Sequence, residues 1–113
     1  MDLDLTSFGR AIASARKAKG MSQKELAALI LKEDGEPITP QYLNDIEHDR
    51  RTPSSDHMVR QFASVLGINA DVLFSIAGVL SEQDRRLVQR TRPDQIREAF
   101  TAFRQTLRGG ARR

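Results

Sequence analysis

Two helix-start signals, separated by a short polar break, constrain this chain more than any other feature. The first is Ser22 followed by Glu25, the spacing of a capping box in which each side chain accepts a hydrogen bond from the other residue's backbone N–H. The second is Thr39 followed by Pro40, whose missing N–H costs nothing at the first position of a helix. The break, 32–37, is polar throughout except for its final proline. The sequence therefore predicts two short helices on either side of a turn.

The second predicted helix has an apolar side and a polar side. Leu43 and Ile46 lie three residues apart and point inward together, with Ile38 just before the cap. The opposite side is a single stripe at spacing i, i+1, i+4, i+5 and i+8, which consists of Pro40, Gln41, Asn44, Asp45 and His48. An ordinary solvated helix face is the simplest interpretation of such a stripe.

The chemistry of this stripe also suits DNA. The amides of Gln41 and Asn44 each present a donor and an acceptor in one plane and can bind adenine bidentately, whereas Asp45 can accept a hydrogen bond from cytosine N4. The guanidinium groups of Arg50 and Arg51, directly after the helix, suit phosphate oxygens. Because the capped first helix, the turn and these arginines occur together, the pattern favours a DNA-reading helix over a solvated face.

Three segments in this order resemble a known family. They are 20–27 (GMSQKELA), 42–47 (YLNDIE) and 50–54 (RRTPS). Together they resemble the helix-turn-helix of phage-repressor and Cro-like (XRE-type) transcriptional regulators, over roughly residues 8–78. Two features depart from that pattern: the segment 31–37 makes the turn longer than usual in the family, and Asp49 stands where such proteins often carry glycine.

The residues and the resemblance together give the candidate DNA contacts. The candidates for base reading are Gln41, Asn44, Asp45 and His48. The candidates for phosphate contact or positioning are Gln23, Lys24, Thr39, Tyr42, Arg50 and Arg51. In the resembled family an arginine of the first helix pairs with a glutamate at the end of the recognition helix, and the matching residues here are Arg16 and Glu47. Direct contact of Arg16 with DNA is the alternative.

We expect an all-α fold, with a five-helix repressor-like helix-turn-helix domain and two further C-terminal helices. Capping residues and apolar stripes predict the five helices within residues 1–80, and no segment has a strand-like alternation. Residues 81–113 form a C-terminal helical extension whose last helix starts at Pro93 and ends at Leu107, before two glycines. The expected domains are therefore a DNA-binding domain, 1–80, and a dimerisation extension, 81–113.

The last predicted helix carries an apolar stripe along its whole length. Its members recur at i, i+3, i+4, i+7 and i+11 and are Ile96, Ala99, Phe100, Phe103 and Leu107. The stripe either folds back onto the fifth helix, near Val79 and Leu80, or pairs with a second copy of the chain. Dimerisation through Ile96, Phe100, Phe103 and Leu107 is the interpretation we favour, because linking two reading helices on adjacent half-sites raises affinity.

Composition excludes several classes of function. There is no cysteine, so neither a disulfide nor a cysteine-based zinc site can form. No apolar run reaches the ~18 residues of a membrane span, and the first residues lack the pattern of a signal peptide, so we expect a cytoplasmic protein that joins the nucleoid when bound to DNA. No nucleophile elbow, phosphate-binding glycine loop or metal-ligand cluster indicates an enzyme, and no cofactor or metal is expected.

The expected function is a sequence-specific transcriptional regulator, a repressor that reads operator half-sites in double-stranded DNA as a homodimer. An antitoxin or immunity-type regulator is the alternative. Its main role would be to bind a toxin or protease partner, and its DNA binding would be autoregulatory. A small toxin or protease gene beside this one would favour the alternative. The arginine-rich end of the chain is either solvated surface or a nonspecific phosphate contact.

Overall fold

The structure is a computed structural model that describes residues 3–111, the last two of them by their backbone alone. Seven α-helices make up the regular structure of this part of the chain. They are α1 (Phe8–Ala18), α2 (Gln23–Leu29), α3 (Pro40–Glu47), α4 (Asp56–Leu66), α5 (Ala70–Ala77), α6 (Glu82–Gln89) and α7 (Pro93–Ala111). The expected all-α fold is confirmed. The chain divides into two compact units, the first ending at Leu80 and the second starting at Ser81.

Local capping chemistry explains where the helices of the first unit begin. Each of the five is preceded by a residue whose side chain accepts a hydrogen bond from a backbone N–H of the first turn: Ser7, Ser22, Thr39, Ser55 and Asn69. These bonds satisfy donors that have no partner within the helix. The capping box expected at the start of α2 is complete, with Ser22 and Glu25 bonding each other's backbone.

One apolar core holds α1 to α5 together. Its largest fully buried side chains, drawn from all five helices and the end of α2, are Phe62, Ile12, Leu26, Ile30, Leu43, Ile46 and Leu73. Phe8 stacks edge-on against Phe62, with ring centroids 6.0 Å apart. Burial of a side chain of this size stabilises the fold by roughly 1.5–3 kcal/mol before entropy is subtracted. The core therefore fixes the position of α3, which contributes Leu43 and Ile46 to it.

Helix α1 approaches the end of α3 so closely that only glycine fits at residue 9. A Cβ atom built on Gly9 would lie 2.4 Å from the Ile46 carbonyl oxygen and 2.7 Å from that of Glu47. These neighbours are backbone atoms and cannot move independently of their helix. The contact thus sets the distance between α1 and α3.

The segment between α2 and α3 is a small hairpin. An antiparallel bridge joins Leu31 to Pro37, and the Ile38 N–H donates to the Ile30 carbonyl at 2.9 Å. Further out, the Lys32 N–H donates to the Glu36 carbonyl at 2.8 Å. The long turn therefore closes on itself through backbone hydrogen bonds.

Two side chains of α4 bind this hairpin through hydrogen bonds to the Leu31 backbone. The Leu31 N–H donates to Gln61 Oε1 at 3.1 Å, and His57 Nε2 lies 3.0 Å from the Leu31 carbonyl oxygen. Since that oxygen can only accept, His57 Nε2 is the donor of this hydrogen bond. Both polar groups of the Leu31 backbone are thus bonded to α4 at the base of the hairpin.

The second unit consists of α6 and α7. Ser81 caps α6, and the apolar stripe of α7 is well exposed: Phe100, Phe103 and Leu107 are 41%, 53% and 57% accessible. The expected end of α7 at Leu107 is wrong, because the helix runs through Gly109 to Ala111. Gly109 has no left-handed φ and stays helical, at a cost of about 1 kcal/mol relative to alanine. None of the helices in the described residues is long and apolar enough to cross a membrane.

Candidate nucleic-acid interface

Helix α3 buries its apolar side in the core and has a polar side facing outward. Leu43, Ile46 and, just before the helix, Ile38 are buried. On the opposite side Gln41 and His48 are exposed, while Asn44 and Asp45 are half-buried. The stripe expected from the sequence therefore lies on one side of α3, and its central residues are partly covered by neighbouring side chains.

Gln23, the first residue of α2, is the side chain that covers Asn44. Its Nε2 donates to Asn44 Oδ1 at 3.1 Å and to Glu47 Oε1 at 2.9 Å. The Asn44 oxygen keeps a second lone pair, and its NH2 group has no hydrogen-bond partner in the part of the chain that the structure describes. Gln23 thus orients the Asn44 amide and leaves it able to donate and accept outward.

The inner end of the same network is an ion pair between α1 and α3. Arg16 Nε and Nη2 donate to the two carboxylate oxygens of Glu47 at 2.6 and 3.0 Å, and Arg16 Nη1 donates to the Met21 carbonyl at 2.8 Å. The side chains of Arg16 and Glu47 are only 11% and 3% exposed. Planar, bidentate geometry of this kind is the strongest form of a charged hydrogen bond. Three of the five guanidinium N–H donors are engaged inward and the side chain is almost buried, so Arg16 serves the ion pair rather than the outer surface.

Asp45 gathers the polar groups on the outer face of α3. Its Oδ1 accepts from Gln41 Nε2 and from Arg50 Nε, both at 3.1 Å, and Arg51 Nε lies 3.9 Å from its Oδ2. The Arg51 guanidinium also lies over the Tyr42 ring, 5.1 Å from its centroid. Asp45 thus holds Arg50 and Arg51, both in the loop that follows α3, beside the helix. Both hydrogen bonds fall on Oδ1, so Oδ2 keeps the capacity to accept a bond from a base.

Asp49 turns the chain at the end of α3. It has a left-handed backbone, with φ of 58°, a conformation that only aspartate, asparagine and glycine adopt readily. Its carboxylate accepts from the Ser7 hydroxyl at 2.6 Å and from the Gly9 N–H at 2.9 Å. Sequence reasoning noted only that Asp49 replaces a frequent glycine. The signal that could have found its role is the identity of the residue, because aspartate both tolerates this φ and accepts bonds from a helix start.

Three other candidate contacts, Lys24, Thr39 and His48, are exposed on α2 and α3 or at their ends. Lys24 and Thr39 are exposed, and Thr39 also caps α3 by accepting from the Tyr42 N–H at 3.0 Å. His48 Nδ1 lies 2.9 Å from the Asn44 carbonyl oxygen, so its ring is held against the helix end. At the start of α2, hydrogen bonds from the backbone and side chain of Ser22 lower the pKa of Glu25. The capping carboxylate therefore stays charged at neutral pH beside the helix N-terminus.

The described residues contain no group of three or more histidine, cysteine, aspartate or glutamate side chains that could hold a metal ion. The arrangement consists of hydrogen-bonding amides and guanidinium groups on a rigid helix. Chemically, it can bind planar hydrogen-bonding groups and anions.

Comparison with known proteins agrees with this geometry. A family model described as helix-turn-helix matches residues 12–73, which is more than half of the chain. A chain of a solved complex between the SinR protein and the SinI protein is similar in structure, with a TM-score of 0.51 and 25% sequence identity. The similarity covers 88% of this chain and 98% of that chain. None of the curated proteins matches the chain.

Proposed function

Since the chain belongs to the helix-turn-helix family, and so is a DNA-binding transcriptional regulator rather than an enzyme, we propose that it is a repressor that reads operator half-sites as a dimer. In this role α3 is the recognition helix and lies in the major groove of double-stranded DNA. The protein acts in the cytoplasm, on the nucleoid.

One observation carries the assignment of base readers. Gln41 and Asn44 lie on the outer side of the first two turns of α3, and Gln23 holds the Asn44 amide from behind while leaving its NH2 group unpaired within the described residues. A pre-oriented amide loses little freedom when it binds a base, which favours bidentate recognition of adenine. His48 and Asp45, at the far end of the stripe, are further base-reading candidates, Asp45 through its Oδ2 because both of its hydrogen bonds fall on Oδ1.

Phosphate contacts come from the rim of the same surface. Arg50 and Arg51 are more than half exposed and are held beside α3 by Asp45. Lys24, Thr39, Tyr42 and Gln23 complete the proposed set of positioning residues around the start of both helices. Such contacts fix the orientation of the protein on the duplex but carry no sequence information.

Dimerisation is assigned to α7. Its apolar stripe is exposed in the single chain, and covering Phe103 and Leu107 with a second copy would remove them from water. A dimer places two recognition helices on half-sites about one helical turn apart, so that binding of the second is intramolecular. The first unit then reads DNA and the second unit joins two copies.

The decisive experiment is selection of bound sites from a pool of random DNA with the full chain. We expect an enriched sequence with two-fold symmetry, whose half-sites contain the adenines that suit Gln41 and Asn44. A variant with both residues changed to alanine serves as the control and should lose the enrichment. Failure of the wild-type chain to enrich any sequence would contradict operator reading.

A second candidate function is binding of a protein partner, with DNA binding as autoregulation. The supporting observation is that the similar solved chain comes from a SinR–SinI protein complex and is covered almost completely. On this hypothesis the partner of the present chain is a toxin or a protease encoded by a neighbouring gene. Coexpression with the product of each adjoining gene tests it: a complex that survives size-exclusion chromatography supports the hypothesis, and separate elution of both proteins contradicts it.

A further inference from the structure

Positive charge is concentrated away from the unit that carries the recognition helix. Residues 1–80 contain nine Lys or Arg and eleven Asp or Glu, whereas residues 81–113 contain nine Arg and four Asp or Glu. The net charges are therefore −2 and +5. Because affinity for DNA rises with the number of phosphates that a protein neutralises, the acidic first unit supplies little of this attraction beyond its local arginines.

Three arginines of the second unit form one row on α7. Arg97, Arg104 and Arg108 recur at i, i+7 and i+11, which places them within a narrow sector of the helix. With a rise of about 1.5 Å per residue, the row is roughly 16 Å long. It lies beside the apolar stripe and about a quarter turn from it, so a partner that covers Phe100, Phe103 and Leu107 can leave the arginines accessible. We call these three residues the arginine row.

Two other arginines of the unit, Arg86 and Arg92, form ion pairs, whereas the members of the arginine row form none within the described residues. Arg86 Nη2 pairs with Glu82 Oε1 at 2.5 Å, and Arg92 pairs with Asp94 at 3.3 Å. Arg97, Arg104 and Arg108 are exposed and form no ion pair within residues 3–111. Three like charges aligned on one side of a helix repel one another, and a polyanion relieves that repulsion.

We propose that the arginine row is a second DNA-binding surface, which binds phosphates of the duplex without reading sequence. The proposal rests on the DNA-binding function proposed above and assigns its electrostatic part to α7. Phosphate is favoured as the ligand because guanidinium groups bind it bidentately and because successive phosphates of one strand repeat every ~3.4 Å along the duplex axis, which gives a row of this length several to contact. The two tasks of α7 then use adjacent sides: the apolar stripe joins copies, and the arginine row binds DNA.

The test compares two double variants of the full chain. Arg97→Gln/Arg104→Gln removes two members of the arginine row, and Arg86→Gln/Arg92→Gln removes two ion-paired arginines from the same unit, so that both variants lose the same charge. Glutamine is nearly as good a helix former as arginine, which preserves α6 and α7. Affinity for a random-sequence duplex and for the selected operator is measured by fluorescence anisotropy from about 50 to about 200 mM salt, a range in which phosphate contacts have large effects.

We expect the arginine-row variant to bind both duplexes more weakly, by roughly eightfold per arginine at ~0.1 M salt, and its salt slope to fall by about 0.9 for each lost contact. The ratio of operator to random affinity should stay unchanged. The control variant should differ from the wild type by no more than about twofold, because general charge effects are screened at this salt.

Three results would overturn the inference while leaving the proposed function intact. They are equal losses in both variants, a fall in the operator-to-random ratio, and a loss of self-association by the arginine-row variant in sedimentation at the assay concentration. A wild-type chain that binds no duplex at any salt would instead overturn the proposed function, and the inference with it.

Discussion

Asp49 accepts hydrogen bonds from the Ser7 hydroxyl and the Gly9 N–H, so the chain just after α3 is bonded to the first turn of α1. Ser7 is itself the cap of α1 and accepts from the Arg10 N–H at 3.1 Å. Two donors at a helix start are thus satisfied by a side chain forty or more positions further along. The same carboxylate therefore fixes both the start of α1 and the path of the chain after α3.

Two replacements of Asp49 distinguish its left-handed backbone from its hydrogen bonds. Asp49→Gly keeps the left-handed backbone but loses both hydrogen bonds, and we expect a loss of about 1–3 kcal/mol in the free energy of unfolding. Asp49→Ala loses the same bonds and adds the strain of an L-residue at positive φ, so it should be less stable than Asp49→Gly by about 1 kcal/mol. Urea unfolding followed by circular dichroism measures both. A glycine variant as stable as the wild type would show that the Ser7 and Gly9 bonds contribute nothing.

Gly9→Ala tests the close approach of α1 to α3. The added methyl group would meet backbone carbonyl oxygens at 2.4 and 2.7 Å, so α1 must move outward, and we expect a loss of about 1–3 kcal/mol from overpacking. Gly109→Ala is the matched control, because nothing lies within 4 Å of its Cβ position and its helix should gain about 0.5–1 kcal/mol. Thermal melting of both variants decides, and equal melting temperatures would contradict the steric role of Gly9.

Removal of one partner of the buried ion pair should be costly. Arg16→Ala or Glu47→Ala leaves a charge that is almost inaccessible to water, and we expect each to lower the free energy of unfolding by about 3–5 kcal/mol. The double variant Arg16→Met/Glu47→Leu should recover much of this loss, because no unpaired charge remains. Denaturant unfolding measures these losses, and the single variants Arg16→Met and Glu47→Leu complete the double-mutant cycle that gives the coupling energy. An unchanged melting temperature in Arg16→Ala, together with lost DNA binding, would instead move Arg16 to the DNA surface.

Substitutions of base-reading residues and of phosphate-contacting residues should differ in how the loss of affinity depends on the DNA sequence. Gln41→Ala or Asn44→Ala should cost ~1–3 kcal/mol on the operator and little on random DNA. Arg51→Ala should weaken binding to both and lower the salt slope by about one unit. Gel-shift titrations on the two duplexes measure each loss. Equal losses on both duplexes in the Gln41 and Asn44 variants would mean that these residues do not read bases.

Dimerisation is tested by a charge placed in the apolar stripe of α7. Phe103→Asp should yield a monomer whose affinity for a palindromic operator falls steeply, because burying an unpaired carboxylate at an interface is unfavourable. Truncation after Leu80 should also give a monomer with lower affinity for the operator. The first unit should still fold, since every residue of its apolar core precedes Leu80. Light scattering reports the mass, and the melting temperature of the first unit serves as the folding control. A wild-type chain that stays monomeric at roughly ten micromolar and still binds the palindrome tightly would contradict a dimer.

Local patterns were sufficient for the fold class. Caps such as Ser22 and Thr39 act within one turn of their own helix, and apolar spacing reports which side of a helix is buried, so the all-α fold could be predicted from neighbouring residues alone. The end of α7 was misplaced because glycine near a helix end often stops it, yet Gly109 remains helical here.

The contacts that shape the candidate interface could not be predicted from local sequence patterns. The bonds of Asp49 to α1, of Gln23 to Asn44 and of Gln61 to the hairpin join residues twenty or more positions apart, and they depend on the packing of whole helices. Asp45 is a further example, because the same carboxylate suits a base or an arginine and only the structure reveals Arg50 beside it. The pairing of Arg16 with Glu47 was expected from family resemblance, since neither spacing nor composition indicates it.

The hairpin between α2 and α3 makes the two halves of the DNA-binding motif independent of the length of chain that joins them. Because Ile30 and Ile38 are bonded backbone to backbone, a longer or shorter tip beyond Leu31 and Pro37 would leave the helices at the same separation. Loop length itself costs little free energy. The bend between Asp34 and Gly35, where φ of the glycine is +87° and no neighbour lies within 4 Å of its Cβ position, is thus a natural place to graft a fluorophore-binding tag or an epitope.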